Sequence, residues 1–239
     1  RGLVLGKAFA SGKIENQSRL LKSVSKYRKE ADPPLYEELR LVAQEVLDHL
    51  KELQQLRAER VDEVRGQILA VEGRAARRYW DALKLVVPEQ YDWPGRRRRR
   101  AKDPLNAALN YGYGILYGQI ERAIVLAGLD PYGGFIHADR PGKPSLVLDL
   151  IEEFRAPVVD RTILGLANKR TQLAQDEKGL LTLETRRLLA ERILERLETA
   201  ERYERKQQPL RVIIQSQARH IATFVRGDRA QYKPFLARW

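Results

Sequence analysis

The sequence predicts an all-α fold, and three observations carry that reading. Apolar residues recur at helical spacing through most of the chain. Helix starts of the capping kind, acid-proline or threonine, stand before several of these runs. No convincing alternation with a period of two occurs, residues 1–5 being the one place where a strand could fit.

The elements follow in order. Residues 3–29 read as a basic helix with Leu3, Ala10, Ile14, Gln17, Leu21 and Val24 in its stripe. Asp32-Pro33-Pro34 breaks it, and residues 35–58 give a second amphipathic helix through Leu39, Val42, Val46, Leu50, Leu53 and Leu56. The two are expected to form an antiparallel hairpin. Residues 61–85 hold one or two further helices. Residues 86–102, VVPEQYDWPGRRRRRAK, then interrupt the pattern. Their two prolines, glycine and five consecutive arginines predict a basic loop that repels itself until an anion neutralises it. Asp103-Pro104 starts a helix reaching about Gly128, whose small and apolar residues predict a central, buried position.

Residues 133–155, GGFIHADRPGKPSLVLDLIEEFR, organise the rest. A glycine pair and a histidine on a loop precede a helix whose apolar stripe is Leu146, Val147, Leu150, Ile151 and Phe154. At about 100° per residue, Glu152 points away from that stripe, with Asp149 one turn earlier. Ala156-Pro157 bends the chain before a helix over 158–168. After a loop at 177–179, Thr182 begins a charged helix expected to run to Tyr203, and the last helix spans 209–226 and closes at Gly227. The reading is one multi-helix domain over residues 1–239.

Composition bounds the function classes. In 239 residues, 44 Lys and Arg face 32 acids, a formal charge of +12 that favours a polyanionic partner, nucleic acid first. There is no cysteine, which excludes disulfides, thiolate metal sites and cysteine nucleophiles. No apolar run approaches the ~18 residues of a spanning helix, and no signal sequence is visible, so an intracellular setting is the expectation. The chain starts at Arg1 and contains no methionine, so it is expected to be a piece of something longer.

Three histidines are candidates for chemistry. His49 lies mid-helix on an expected surface, and His220 is expected to pack or hydrogen-bond near the core. His137 alone lies on a glycine-rich loop followed by carboxylates, the residue types of a hard-metal site. Spacing alone leaves a plainer reading, a loop histidine beside a solvated acidic face. A second acid, Glu72, sits in VEGRAARRY with Arg74, Arg77 and Arg78 about one turn apart, where ordinary ion pairs on a surface helix are the plainer reading.

Several stretches, taken together, resemble the helical C-terminal domain of the CRISPR-associated adaptation integrases, the metal-dependent enzymes that capture new spacers. They are KAFASGKIENQSRLL at 7–21, VEGRAARRYW at 71–80, DPLNAALNYGYGILYGQI at 103–120, GLDPYGGFIHADRPGKPSLVLDLIEEFR at 128–155 and the closing QARHIATFVRG with YKPF. The resemblance implies metal ligands, which are also the catalytic residues, at Glu72, His137 and Glu152, with Asp149 as a further nearby acid. It implies Mg²⁺ or Mn²⁺ as cofactor. It further implies cutting of DNA by water, and joining by attack of a DNA 3′-hydroxyl on a repeat phosphodiester.

Beside those ligands in sequence, Arg74, Arg77, Arg78, Arg140 and Lys143 are expected to hold DNA phosphates, and Arg96, Arg97 and Arg98, with the two arginines after them, a more distant phosphate. Tyr79, Tyr111, Tyr113 and Trp93 either stack on frayed ends or pack in the core. The resemblance also implies a homodimer of the full-length protein built by a small β-rich N-terminal domain. That domain is expected to be missing here, save for a remnant at 1–5. Implied partners are a small ferredoxin-like CRISPR-associated protein and, in some members, a fused reverse transcriptase. Without the resemblance, composition leaves two rivals open: a non-catalytic helical DNA-binding module with structural acids, and an interaction scaffold.

Overall fold

A computed structural model describes residues 1–97, 102–137 and 142–239. Arg98, Arg140 and the other expected phosphate contacts at 99–100 lie outside the described residues. Helix α1 (Gly2–Lys26) is the axis of the molecule. Leu5, Phe9, Ile14 and Leu21 are wholly buried along it, as are the polar Asn16 and Ser18, and Lys13 and Gln17 are nearly so. A helix buried on that many sides must be covered from several directions. The first turn of α1 takes in residues 2–5, so these are helical and not a strand.

Asp32 ends the first connection by capping α2 (Pro33–Gln55), its Oδ1 accepting from Leu35 N at 3.1 Å. Helix α3 (Val61–Lys84) is a single helix, and both it and α2 pack on α1. Asp103 caps α4 (Pro104–Leu126) as the sequence predicts, accepting from Asn106 N at 2.8 Å.

The chain then folds back under α1. Short helices α5 (Ser145–Leu150) and α6 (Glu152–Phe154) lead into a π-helical turn over Arg155–Asp160. Pro157 lies inside that turn; with no N–H it cannot sustain regular α-helical bonding there. Helix α7 (Arg161–Asn168) continues from it.

Helix α8 (Leu183–Glu198) begins at the expected Thr182 cap but stops before Tyr203. In place of its expected last turn stands an antiparallel hairpin of β1 (Ala200–Tyr203) and β2 (Lys206–Pro209), paired from Ala200↔Pro209 to Tyr203↔Lys206. Its two turn residues, Glu204 and Arg205, have φ of 45° and 68°, the pattern of a tight hairpin turn. Helix α9 (Leu210–Arg226) packs on α4 and ends at Gly227 with φ 102°. The last stretch crosses α1: Asn16 Nδ2 donates to the Glu153 and Phe235 carbonyls, and Ala237 N donates to Asn16 Oδ1. Phe235 stacks on Phe154 with ring centroids 5.3 Å apart.

Candidate metal-binding and catalytic site

Four elements deliver the site. Lys13 comes from α1, Glu72 from α3, His137 from the loop before α5, and Glu152 from the first position of α6. The Lys13 ammonium is the meeting point: Nζ donates to Glu72 Oε1 and lies 2.6 Å from Glu152 Oε2. That second contact is an ion pair without hydrogen-bond geometry, so Oε2 is left without a donor. Arg155 Nε lies 3.0 Å from the other oxygen of Glu152. Glu72 is 6% exposed and Glu152 2%, so neither is the solvated acid that helical spacing alone suggests.

Burial alone would raise the Glu152 carboxyl. Arg155, then Lys13, with a further pull from His137, outweigh it and hold the group down at about 2. The carboxylate is therefore charged at any working pH.

The histidine loop is built around Asp149. Its Oδ2 accepts from Phe135 N at 2.5 Å and Ile136 N at 3.1 Å. Its Oδ1 accepts from His137 N at 2.9 Å and lies 2.7 Å from the ring Nδ1. Asp149 is thus a fully buried anchor that fixes the imidazole, with both oxygens engaged by the loop. Gly134 makes the loop possible: a Cβ there would stand 2.4 Å from the Ser145 side chain.

Next to Glu152 in sequence, Glu153 faces the other way. It accepts from Tyr232 Oη at 2.6 Å, Gln217 Nε2 at 2.9 Å and Phe235 N at 2.9 Å. Burial raises its carboxyl to about 7 despite those three donors. Glu153 is therefore a structural tie between α6, α9 and the last stretch.

The basic residues divide. Arg74 pairs with Glu52 and Arg78 with Glu45, both across to α2, while Arg77 is exposed with no carboxylate partner among the described residues. Arg96 turns inward. Its guanidinium donates to Asn106 Oδ1 at 3.0 Å and Asn110 Oδ1 at 2.8 Å, with Cζ 5.3 Å from the Tyr113 ring centroid. These contacts hold the first arginine of the run against α4. Arg97 is exposed and Lys143 half-buried.

Tyr79, Tyr113 and Trp93 are buried, and both tyrosine hydroxyls donate to Asp160, so the core reading holds for these three and the stacking one does not. Tyr111 is half-buried. His49 pairs with Glu52 near the surface and His220 bonds to Tyr203 and Gln217, as their positions predict. Sequence reasoning passed over Lys13, Gln17 and Arg155. The available signal was Gln17, a polar residue in the stripe of α1, with Lys13 one turn before it.

The donor chemistry fits a hard divalent cation: two carboxylate groups already drawn onto one positive charge, one with an undonated oxygen, and an imidazole oriented by a buried acid. Among the described residues, no three His, Asp or Glu groups close around a common point, and the charge between the carboxylates is that of Lys13.

Fold and site together define a helical domain in which two buried acids share one lysine ammonium and a histidine is tethered by a third acid. Residues 1–195 match the family model for CRISPR associated protein Cas1, and the chain belongs to that family. It is 41% identical over 250 residues to CRISPR-associated endonuclease Cas1 1 of Archaeoglobus fulgidus, covering all of this chain and 72% of that protein. It is 36% identical to CRISPR-associated endonuclease Cas1 of Hyperthermus butylicus, over 94% of this chain and 65% of the relative. Among solved structures, a casposase bound to integration product superposes with a TM-score of 0.81 at 25% identity, over 97% of this chain and 63% of that one. The Cas1 protein from Thermotoga maritima shares the fold with a TM-score of 0.76, covering 68% of its chain. Among the described residues no helix is long and apolar enough to cross a membrane.

Proposed function

We propose that this domain is the catalytic part of a metal-dependent DNA endonuclease and integrase of CRISPR spacer acquisition. The observation that carries the reading is the convergence of Glu72 and Glu152 on one buried cation, with His137 held alongside. Both relatives are named endonucleases, and the casposase structure holds an integration product.

Glu72, His137 and Glu152 would hold Mg²⁺ or Mn²⁺, which when bound stabilises charge on a transferring phosphate. The chain's own residues do the rest. Asp149 accepts a hydrogen bond from Nδ1–H of His137, which leaves the Nε2 lone pair for a ligand. Arg155 keeps Glu152 ionised without occupying both its oxygens. The exposed Arg77 and Arg97 and the half-buried Lys143 are proposed to meet backbone phosphates, and Arg74, Arg78, Arg96, Arg98 and Arg140 are proposed for the same role. The substrates proposed are branched or double-stranded DNA with 3′ ends and the CRISPR repeat. The proposed partners are a second copy of the full-length protein and a small ferredoxin-like CRISPR-associated protein. A reverse-transcriptase fusion is a further arrangement, since one solved neighbour is a Cas6-RT-Cas1–Cas2 complex.

One observation favours a second reading, a DNA-binding module with structural acids: Lys13 and Arg155 already neutralise the carboxylates. Strand cleavage and joining on branched DNA separates the two. With Mn²⁺ or Mg²⁺ the chain is expected to cut and join, and chelator or Glu152→Gln to abolish both. DNA binding without any strand transfer would favour the structural reading, and metal-independent activity would overturn the metal assignment.

A further inference from the structure

We infer that Lys13 is a resident cation which an incoming divalent metal displaces, and that Gln17 receives its ammonium group. The inference rests on the metal reading above and adds a positioning residue to it.

Three observations point this way. First, the Lys13 ammonium occupies the space that two ligand carboxylates share: it donates to Glu72 Oε1 and lies 2.6 Å from Glu152 Oε2. A second cation cannot enter there while the first remains, since the two would repel at contact distance in a buried setting. Second, Glu152 Oε2 is met by the ammonium at 2.6 Å as an ion pair and by no other donor among the described residues, so that oxygen is open to a metal once the ammonium leaves. Third, a destination exists. Gln17 is one turn along α1, about 6 Å of rise away. It is 3% exposed, and its Oε1 has no hydrogen-bond partner.

Lys13 and Gln17 line the same notch, whose free volume of about 10 Å³ suits one water-sized group such as an ammonium. Arg96 and Arg155 also line it and oppose a further positive charge. The Asp160 carboxyl lines it too, and the faces of Trp80 and Tyr113 already lie under those two guanidinium groups. A flexible four-carbon stem is suited to exchange between two such positions, where the planar fork of arginine is not. On this account Lys13 keeps two buried like charges together before metal arrives and lowers the affinity of the metal that replaces it.

Mn²⁺ titration at pH 8, followed by the electron paramagnetic resonance of the free ion, tests this on the chain and its variants. Lys13→Met is expected to bind Mn²⁺ more tightly, by on the order of tenfold, as competing ligands at a shared site require. It is also expected to melt at a lower temperature without metal, because two acids then face each other unpaired. Gln17→Met is expected to melt as the parent does without metal yet bind Mn²⁺ several-fold more weakly. Equal or weaker binding by Lys13→Met overturns the displacement. If that variant does not fold, Gln17→Met decides, and unchanged affinity overturns the inference. A parent chain that binds no Mn²⁺, or a Glu152→Gln variant that binds it equally well, overturns the metal reading itself.

Discussion

Asp149 grips His137 twice, through the backbone N–H at 2.9 Å and the ring Nδ1 at 2.7 Å, and takes both preceding loop N–H groups with its other oxygen. One buried acid thereby fixes the position of the loop, the ring orientation and the tautomer together. Asp149→Asn puts an amide N–H₂ where a loop donor or the ring must be met. Such supporting partners typically affect metal affinity or activity by 10–100-fold. We expect loss of about that size, in Mn²⁺ affinity as well as strand transfer, from a chain that still folds. Unchanged affinity would show that the ring holds its orientation without the acid.

Glu153 gives a pH dependence of stability. Its carboxyl titrates near 7 in the fold, against 4.5 for the ordinary side chain. Between those values the folded state keeps a proton that the unfolded state has lost, so this group makes stability fall as pH rises from about 4.5 to about 7 and level off above. The loss is on the order of 3 kcal/mol at most. Glu153→Gln can keep an oxygen towards Gln217 and Phe235 and turn its amide to Tyr232. Urea midpoints at pH 5, 6, 7 and 8 should show a smaller decline for that variant than for the parent; parallel curves would assign the decline to other groups.

Asn106 ties the basic loop to α4. Its Nδ2 donates to the Gly95 carbonyl at 2.8 Å, and its Oδ1 accepts from Arg97 N at 2.9 Å and from Arg96. Asn106→Ala leaves partly buried partners unmet, at about 1 kcal/mol for such groups. Thermal unfolding should show the loss, and faster proteolysis near residue 96 should accompany it. A melting temperature equal to the parent's would mean that water replaces the side chain freely.

Arg77 and Arg78 are neighbours with different expected effects on DNA binding. Arg78 is engaged by Glu45, with Nε 2.9 Å from Oε2, whereas Arg77 has no acidic partner among the described residues. If Arg77 contacts one phosphate, Arg77→Gln should reduce the slope of log affinity against log salt by about 0.9. Arg78→Gln should change it less. The reverse order would place the DNA on the α2 side.

Most of the helical order was legible because capping chemistry is local: Asp103 and Thr182 each cap the helix that their side chains announce, and Asp32, read as a break, also caps α2. The hairpin at 200–209 was not. Its turn is Glu204-Arg205, both with positive φ, where a sequence reader looks for Asn or Gly, and its strands carry Glu, Arg, Lys and Gln. The pairing is imposed by neighbours rather than by local preference.

At the candidate site, periodicity reports only which side of a helix a residue occupies. Tyr79 and Tyr113 could have faced DNA; the Asp160 carboxyl that claims both hydroxyls lies 81 and 47 residues away. Lys13 was overlooked for the same reason. A lysine on a helix reads as solvated until two acids from distant segments are seen around it.

The tie between Glu153 and the stretch near Phe235 also bears on synthesis. Glu152 reaches the ribosome exit long before Tyr232 and Phe235, whose groups hold its neighbour Glu153. Asn16, one turn from Lys13, likewise waits for Phe235 and Ala237. Long-range pairings of this kind close late. A nascent chain carrying every proposed ligand therefore remains unfinished at its centre until residues 232–237 have emerged. Translational arrest before them should release a product that lacks the assembled site even though each of its ligands has been made.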